Sequence, residues 1–238
     1  MRHKALVLAG GFGTRLRPAI SDVSKTMAPV NGKPFLEYLL TSLRRDGFTD
    51  IILCVGYLSD TITAYFGDSV GSGLNISYSV EDKPMGTGGA IKLAANLIDD
   101  TFLLLNGDTY LALSYRAILA FHRQKRADVT VALTRVDDCS RYGTIEMDDD
   151  CRITRFAEKC GTGRARNTII NGGVYVIEPK VLALIPAGKQ VSFEREVLPR
   201  IIENGGKVFG YQTDGYFIDI GTPGDYAKAL EELVKEGL

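Results

Sequence analysis

The chain of 238 residues predicts an α/β fold: a doubly wound, mostly parallel sheet flanked by helices, with a small β insertion. Three observations carry that prediction. An apolar run at 5–9 has the length and composition of a buried strand and empties directly into Gly10, Gly11 and Gly13. Stretches of helical periodicity then alternate with further strand-like runs at 51–55, 76–80 and 102–110. A second glycine-rich loop, from Glu81 to Gly89, again separates a strand from a helix.

The first strand matters most, because open parallel sheets bind ligands beyond the carboxyl ends of their strands. Its glycines let the backbone approach a ligand and turn amide N–H groups toward it, and Arg15 and Lys25 bring two cations to the same loop. The dinucleotide fingerprint is not matched, since Gly13 is followed by Thr14, Arg15 and Leu16, and the second strand ends near Val55 and Gly56 without an acidic residue for a ribose. A Walker A loop is absent as well, because Gly32 and Lys33 run into Pro34. A nucleoside triphosphate bound by another kind of loop is the expectation.

Pro34 opens a helix whose Phe35, Leu36, Leu39, Leu40 and Leu43 share one face and which ends near Gly47. Asp60 is expected to cap a short helix through Phe66, closed by Gly67. After the third strand, the loop with Gly86 and Thr87 leads into a helix that offers donors to an anion or a sugar. The strand at 102–110 carries Asn106 and, at its carboxyl end, Asp108, which is either a hard-cation ligand or a turn residue. A helix at 115–126 follows, with Ile118, Leu119 and Phe121 inward and His122 expected at the surface, then a strand at 129–133. Residues 141–150 begin a hairpin whose return carries Ile153 and Phe156.

The strand at 169–177 is interrupted by Gly172 and Gly173, which mark a bulge or a close backbone approach. Ser192 is expected to cap a helix with Val197, Leu198, Ile201 and Ile202 inward, its Glu194 complementing the helix dipole. Two last strands at 208–212 and 216–220 precede a helix with Thr222 as N-cap and Pro223 in its first turn.

Composition narrows the classes of partner. A hydrophobic share of 45% supports a sizeable core, and one domain, 1–238, is the expectation. With 28 basic and 29 acidic residues there is no overall field to hold nucleic acid or an anionic membrane, so neither is an expected partner. Cys54, Cys139, Cys151 and Cys160 lack metal-ligand spacing and read as free thiols. The first apolar run is too short for a signal-peptide core or a membrane span, which points to the cytoplasm. Assembly into a homo-oligomer stays open.

Gly10-Gly-Phe-Gly-Thr-Arg-Leu-Arg-Pro18 with Lys25 beyond it resembles the signature of the sugar-1-phosphate nucleotidyltransferases, which make nucleotide sugars on a Rossmann-like nucleotide-diphospho-sugar transferase fold. Further stretches are similar in order along nearly the whole chain: Met85-Gly-Thr-Gly-Gly-Ala90, Leu105-Asn-Gly-Asp108, Arg141-Tyr-Gly-Thr144 and Asp219-Ile-Gly-Thr-Pro223. One departure is Ser24, where many members have Pro before the lysine.

The resemblance implies a nucleotide-binding half at about 1–110, a sugar-phosphate-binding half at about 111–238, and a set of roles within them. Arg15 and Lys25 would act on the triphosphate, and Ala9, Gly10, Gly11, Gly13, Thr14, Glu81, Gly86 and Thr87 would contact the nucleotide. Asn106, Gly143, Glu158, Lys159, Asn171 and Gly172 would contact the sugar phosphate, while Asp108 and Asp219 would hold Mg²⁺. A binding-only relative would be expected to lose one of Arg15, Lys25, Asp108 or Asp219, and all four are present. Glu81 also bears on the base: guanine presents N1–H and its N2 amine as adjacent donors, which suit a carboxylate, whereas thymine and uracil flank N3–H with carbonyls. GTP is therefore the favoured triphosphate.

Overall fold

The computed structural model describes residues 3–11, 13, 16, 23–68, 73–157 and 167–233. The chain opens with β1 (Lys4–Leu8), a small ribbon of β2 (Pro29–Val30) and β3 (Lys33–Pro34), and helix α1 (Phe35–Arg45). β4 (Asp50–Val55), α2 (Ser59–Phe66), β5 (Asn75–Val80), α3 (Gly86–Leu93) and β6 (Phe102–Asn106) complete its first half. β1 pairs in parallel with both β4 and β6, and β4 in parallel with β5. The strand order therefore reverses between β4 and β6 on either side of β1, and a crevice opens at such a point in α/β sheets.

Strand alternation sends side chains to two cores, one on each face of the sheet. From β1, Ala5 and Val7 enter one core and Leu6 the other; β6 likewise divides Leu103 and Leu105 from Phe102 and Leu104. The first core receives the apolar face of α1, with Phe35, Leu36, Leu39, Leu40 and Leu43 buried as the periodicity predicts. The second receives Ala90 and Ile91 of α3. Near-continuous apolar strands and helices on both faces are two views of one arrangement.

The second half adds β7 (Thr109–Leu111), α4 (Tyr115–Lys125), β8 (Val129–Val136), the hairpin of β9 (Thr144–Met147) and β10 (Ile153–Ala157), and β11 (Thr168–Ile177). A π-helical turn, Phe193–Val197, feeds α5 (Leu198–Glu203), and β12 (Val208–Gln212), β13 (Phe217–Asp219) and α6 (Pro223–Glu232) follow. Here the sheet turns mixed, because β11 runs antiparallel to β6, β8 and β9 while β12 is parallel to β8. The ladder of β11 against β8 shifts register between Asn171 and Tyr175, and Gly173 has φ +74°, which is the bulge that its paired glycines predict.

Three local expectations are corrected. Asp60 lies inside α2, whose N-cap is Leu58 with φ 56° and no side-chain cap, so the chain enters that helix through a left-handed residue. His122 is buried, not at the surface: Nδ1 meets the Thr130 hydroxyl at 2.8 Å and Nε2 meets Glu178 at 3.1 Å. Cys54 and Cys151 carry free thiols, whereas Cys139 is disulfide-bonded, and Cys160 lies outside the described residues. Among the described residues no helix is long and apolar enough to cross a membrane.

Candidate active site

A cavity of about 390 Å³ opens where β1, β5 and β6 end, within the size range of small-molecule sites. It is lined by Gly10, Gly11 and Gly13 from the first loop, Lys25 and Thr26 from the turn after it, Glu81, Gly86 and Thr87 from the second loop, and Asn106 and Asp108 from the end of β6. Gln190 and Gly221 close the far side. Gly13 has φ +58°, and a Cβ there would meet the Lys25 Cβ at 2.9 Å. Glycine at 13 thus lets the lysine backbone pack directly against the loop.

Lys25 is the centre of charge. Its Nζ donates to Asp108 Oδ2 at 2.6 Å and to Asp219 Oδ1 at 3.1 Å, and only 9% of its side chain is exposed. β13 and β7 place the two carboxylates together: Asp219 stands opposite Thr109 in that ribbon, and the Ile220 N–H donates to the Asp108 carbonyl at 3.0 Å. Burial alone would lower the Lys25 ammonium, but the charges of Asp108 and then Asp219 outweigh it and hold the group above the usual lysine range. Burial likewise works to raise Asp108, and the Lys25 charge overcomes it. Asp219 stays raised, by burial and then by the like charge of Asp108.

Two carboxylates that share one ammonium are a donor set with room for more positive charge than that ammonium supplies. Their oxygens are hard ligands suited to a divalent cation such as Mg²⁺. Among the described residues no group of three His, Cys, Asp or Glu could enclose an ion. A cation held by Asp108 and Asp219 would therefore take its other ligands from water and phosphate, as Mg²⁺ commonly does.

The second loop is built differently from a plain anion cradle. Gly86 has φ +71°, and a Cβ on it would come within 2.5 Å of the Val191 carbonyl, so this glycine is needed for packing as well as for the turn. Glu81 Oε2 accepts the Met85 N–H at 2.9 Å, and its Oε1 lies beside Gly10, 3.0 Å from where a Cβ would stand. Burial raises the Glu81 carboxyl above its ordinary range, with the Met85 N–H opposing. Ala9 is buried and its N–H is used within the sheet, donating to the Cys54 carbonyl at 2.7 Å, and the cavity is lined by Leu8 and Gly10 on either side of it rather than by Ala9 itself.

Of the expected sugar-side residues Asn106 lines the cavity, while Gly143, Asn171 and Gly172 are not among its lining residues. Asn171 receives its backbone link from Gly143, whose carbonyl accepts the Asn171 N–H at 3.1 Å. Its Oδ1 accepts the Gly173 N–H at 3.0 Å and its Nδ2 donates to the Tyr175 hydroxyl at 2.6 Å. Gly172 packs against Leu111 and the Ala132 carbonyl, with no room for a Cβ. Thr14, Arg15, Glu158 and Lys159 lie outside the described residues.

Sequence reasoning missed several neighbours. Arg141 bonds Asp225 at 2.5 Å, reaches within 4.0 Å of Asp219 and donates to the Tyr142 hydroxyl at 2.6 Å. Tyr142 is itself pushed up to about 12, by burial and then by the Asp219 charge. Glu194, expected only to face a helix dipole, accepts the Thr87 hydroxyl at 2.6 Å across 107 residues of chain. No sequence pattern ties those positions, since the π-helical turn that aims Glu194 inward is a tertiary outcome.

A profile of the nucleotidyl transferase family matches residues 4–236. A mannose-1-phosphate guanylyltransferase of Mycobacterium tuberculosis is 41% identical over 97% of this chain, which spans 64% of that relative's length. A D-glycero-alpha-D-manno-heptose 1-phosphate guanylyltransferase of Aneurinibacillus thermoaerophilus is 38% identical over 97% of this chain and 98% of its own. The crystal structure of HddC from Yersinia pseudotuberculosis complexed with GMP-PN superposes with a TM-score of 0.83 at 36% identity, covering 97% of this chain and 99% of that one.

Proposed function

This chain belongs to the nucleotidyl transferase family, and we propose that it transfers a guanylyl group from GTP to a sugar 1-phosphate, D-glycero-α-D-manno-heptose 1-phosphate above others, forming GDP-heptose and pyrophosphate. The observation that carries the reading is Lys25 held between Asp108 and Asp219 at the mouth of the glycine-lined cavity. In this reaction a phosphate oxygen of the sugar attacks the α-phosphorus of the triphosphate, the bond to the β-phosphate oxygen breaks, and pyrophosphate leaves. No covalent enzyme intermediate is needed. Catalysis then rests on aligning two anions and neutralising their charge.

Gly10, Gly11 and Gly13 present backbone to the triphosphate, and Lys25, with Arg15, meets the charge that develops on the leaving pyrophosphate. Asp108 and Asp219 would hold Mg²⁺, which would supply positive charge to offset that of the two phosphates. Lys159 anchors the sugar phosphate, with Asn106, Gly143, Glu158, Asn171 and Gly172 around the sugar. Glu81 takes the guanine N1–H and N2 amine with Oε1, its Oε2 being engaged by Met85. The heptose choice is supported by relatives of that activity at 38% and 34% identity. Mannose 1-phosphate is the second reading, supported by the relative at 41%.

The reading also assigns the work of the chain to the cytoplasm, where nucleoside triphosphates are made, and treats residues 1–110 and 111–238 as the nucleotide and sugar halves of one domain. Mass spectrometry of the products formed from GTP, Mg²⁺ and heptose 1-phosphate tests it. A GDP-heptose mass supports the assignment. Intact GTP with every sugar 1-phosphate offered would end it.

A further inference from the structure

We propose that Glu194 is a positioning residue that sets the nucleotide loop and the sugar-side strand in register through one shared carboxylate, an inference that rests on the reaction proposed above. Three hydroxyl donors converge on it. Oε2 accepts Thr87 at 2.6 Å and Ser192 at 3.2 Å, and Oε1 faces the Tyr175 hydroxyl at 3.4 Å. A carboxylate has acceptor capacity for all three and no donor to conflict with them.

Both arms of this link are tied down by further hydrogen bonds. The Thr87 hydroxyl gives its proton to Glu194 and accepts the Phe193 N–H at 2.8 Å, so its proton is spent on holding the loop and a lone pair is what it can offer a ligand. On the other arm Tyr175 is completely buried, its ring edge-on to Phe193 at 5.5 Å, and its hydroxyl accepts Asn171 Nδ2 while facing Glu194. Because Asn171 Oδ1 is held by the Gly173 N–H, the amide orientation is fixed from both ends. One N–H and one carbonyl lone pair of Asn171 are left for a sugar hydroxyl. The chain Thr87, Glu194, Tyr175, Asn171 thus runs from the cavity wall to the sugar-side bulge.

Glutamine at 194 keeps the shape but offers one acceptor oxygen and an NH₂ that must face a hydroxyl donor. Glu194→Gln should therefore raise the Michaelis constants for GTP and for the sugar phosphate together, each by roughly 5- to 30-fold, with a smaller change in kcat. Tyr175→Phe, nearly isosteric, cuts only the sugar arm and should raise the sugar-phosphate constant while moving the GTP constant less than threefold. Calorimetric titration of GTP into Glu194→Gln without sugar phosphate gives the nucleotide arm independently of turnover, and melting temperatures separate folding from registration. Unchanged constants for both substrates in a folded Glu194→Gln protein, or an equal rise for GTP and sugar phosphate in Tyr175→Phe, would overturn the proposal. A wild-type protein that transfers no nucleotide at all would instead overturn the reaction on which it rests.

Discussion

Asp108 and Asp219 stand side by side because the Ile220 N–H, one residue past Asp219, bonds the Asp108 carbonyl at 3.0 Å. That backbone link puts two like charges into one site and leaves Lys25 to reconcile them. We expect Asp108→Asn and Asp219→Asn each to lower kcat by at least about a hundredfold, since an amide cannot neutralise a bound cation as a carboxylate does. Circular dichroism should find both variants folded. Near-normal turnover at saturating Mg²⁺ in either would make that aspartate a turn residue.

Lys25 and Lys159 should separate kinetically. Lys25→Ala removes charge that acts at the transition state and should mainly lower kcat, whereas Lys159→Ala removes ground-state binding and should mainly raise the Michaelis constant for the sugar phosphate. Lys25→Ala also leaves Asp108 and Asp219 facing each other, so its melting temperature should fall and recover as Mg²⁺ is added. An unchanged sugar-phosphate constant in Lys159→Ala would remove that lysine from the site.

Glu81 is held at one oxygen by Met85 and free at the other, beside Gly10. Glu81→Gln should weaken the use of GTP by about 1–3 kcal/mol, the difference between a charged and a neutral acceptor, and relax preference toward dTTP or UTP. Competition between triphosphates reads this directly. A variant that keeps the wild-type preference would confine Glu81 to closing its loop on Met85.

Away from the site, His122 links stability to pH. Burial lowers its pKa from 6.5, against the hydrogen bond and charge of Glu178 and the charge of Asp128, with Arg123 adding to the lowering. The folded protein thus prefers neutral imidazole. Its contribution is complete above about pH 6.5 and is lost as the pH falls toward the lowered folded value, at no more than about 1.4 kcal/mol per pH unit for one proton. Urea unfolding at pH 7.5 and pH 5 should find a shallower pH dependence in His122→Gln than in wild type. An identical dependence would show that His122 titrates alike in both states.

What the sequence made legible follows from how local each cause is. The strands β1 and β4 and the face of α1 are dictated by apolar runs and by helical spacing, and they sit where the residues predict, whereas the single strand expected at 102–110 is broken by a turn at Gly107 and Asp108 into β6 and β7. Glycines beside Lys25 and ahead of α3 signal their loops because only a short-range constraint is involved. His122 escaped the reading because its environment comes from Thr130 on β8 and from Glu178 just after β11. Glu194 and Arg141 escaped for the same reason: their partners Thr87 and Asp225 are distant in sequence and become neighbours only when the sheet closes. The antiparallel β11, inserted beside parallel β6, reads from the sequence merely as another apolar strand.

Guanylyl transfer to a sugar 1-phosphate at the Lys25, Asp108 and Asp219 site is tested by pyrophosphate release across a matrix of GTP, dTTP and UTP against heptose, mannose and glucose 1-phosphates. The highest kcat/KM is expected for GTP with D-glycero-α-D-manno-heptose 1-phosphate, lost in Asp108→Asn. Preference for dTTP or UTP, or release that persists in that variant, would contradict it.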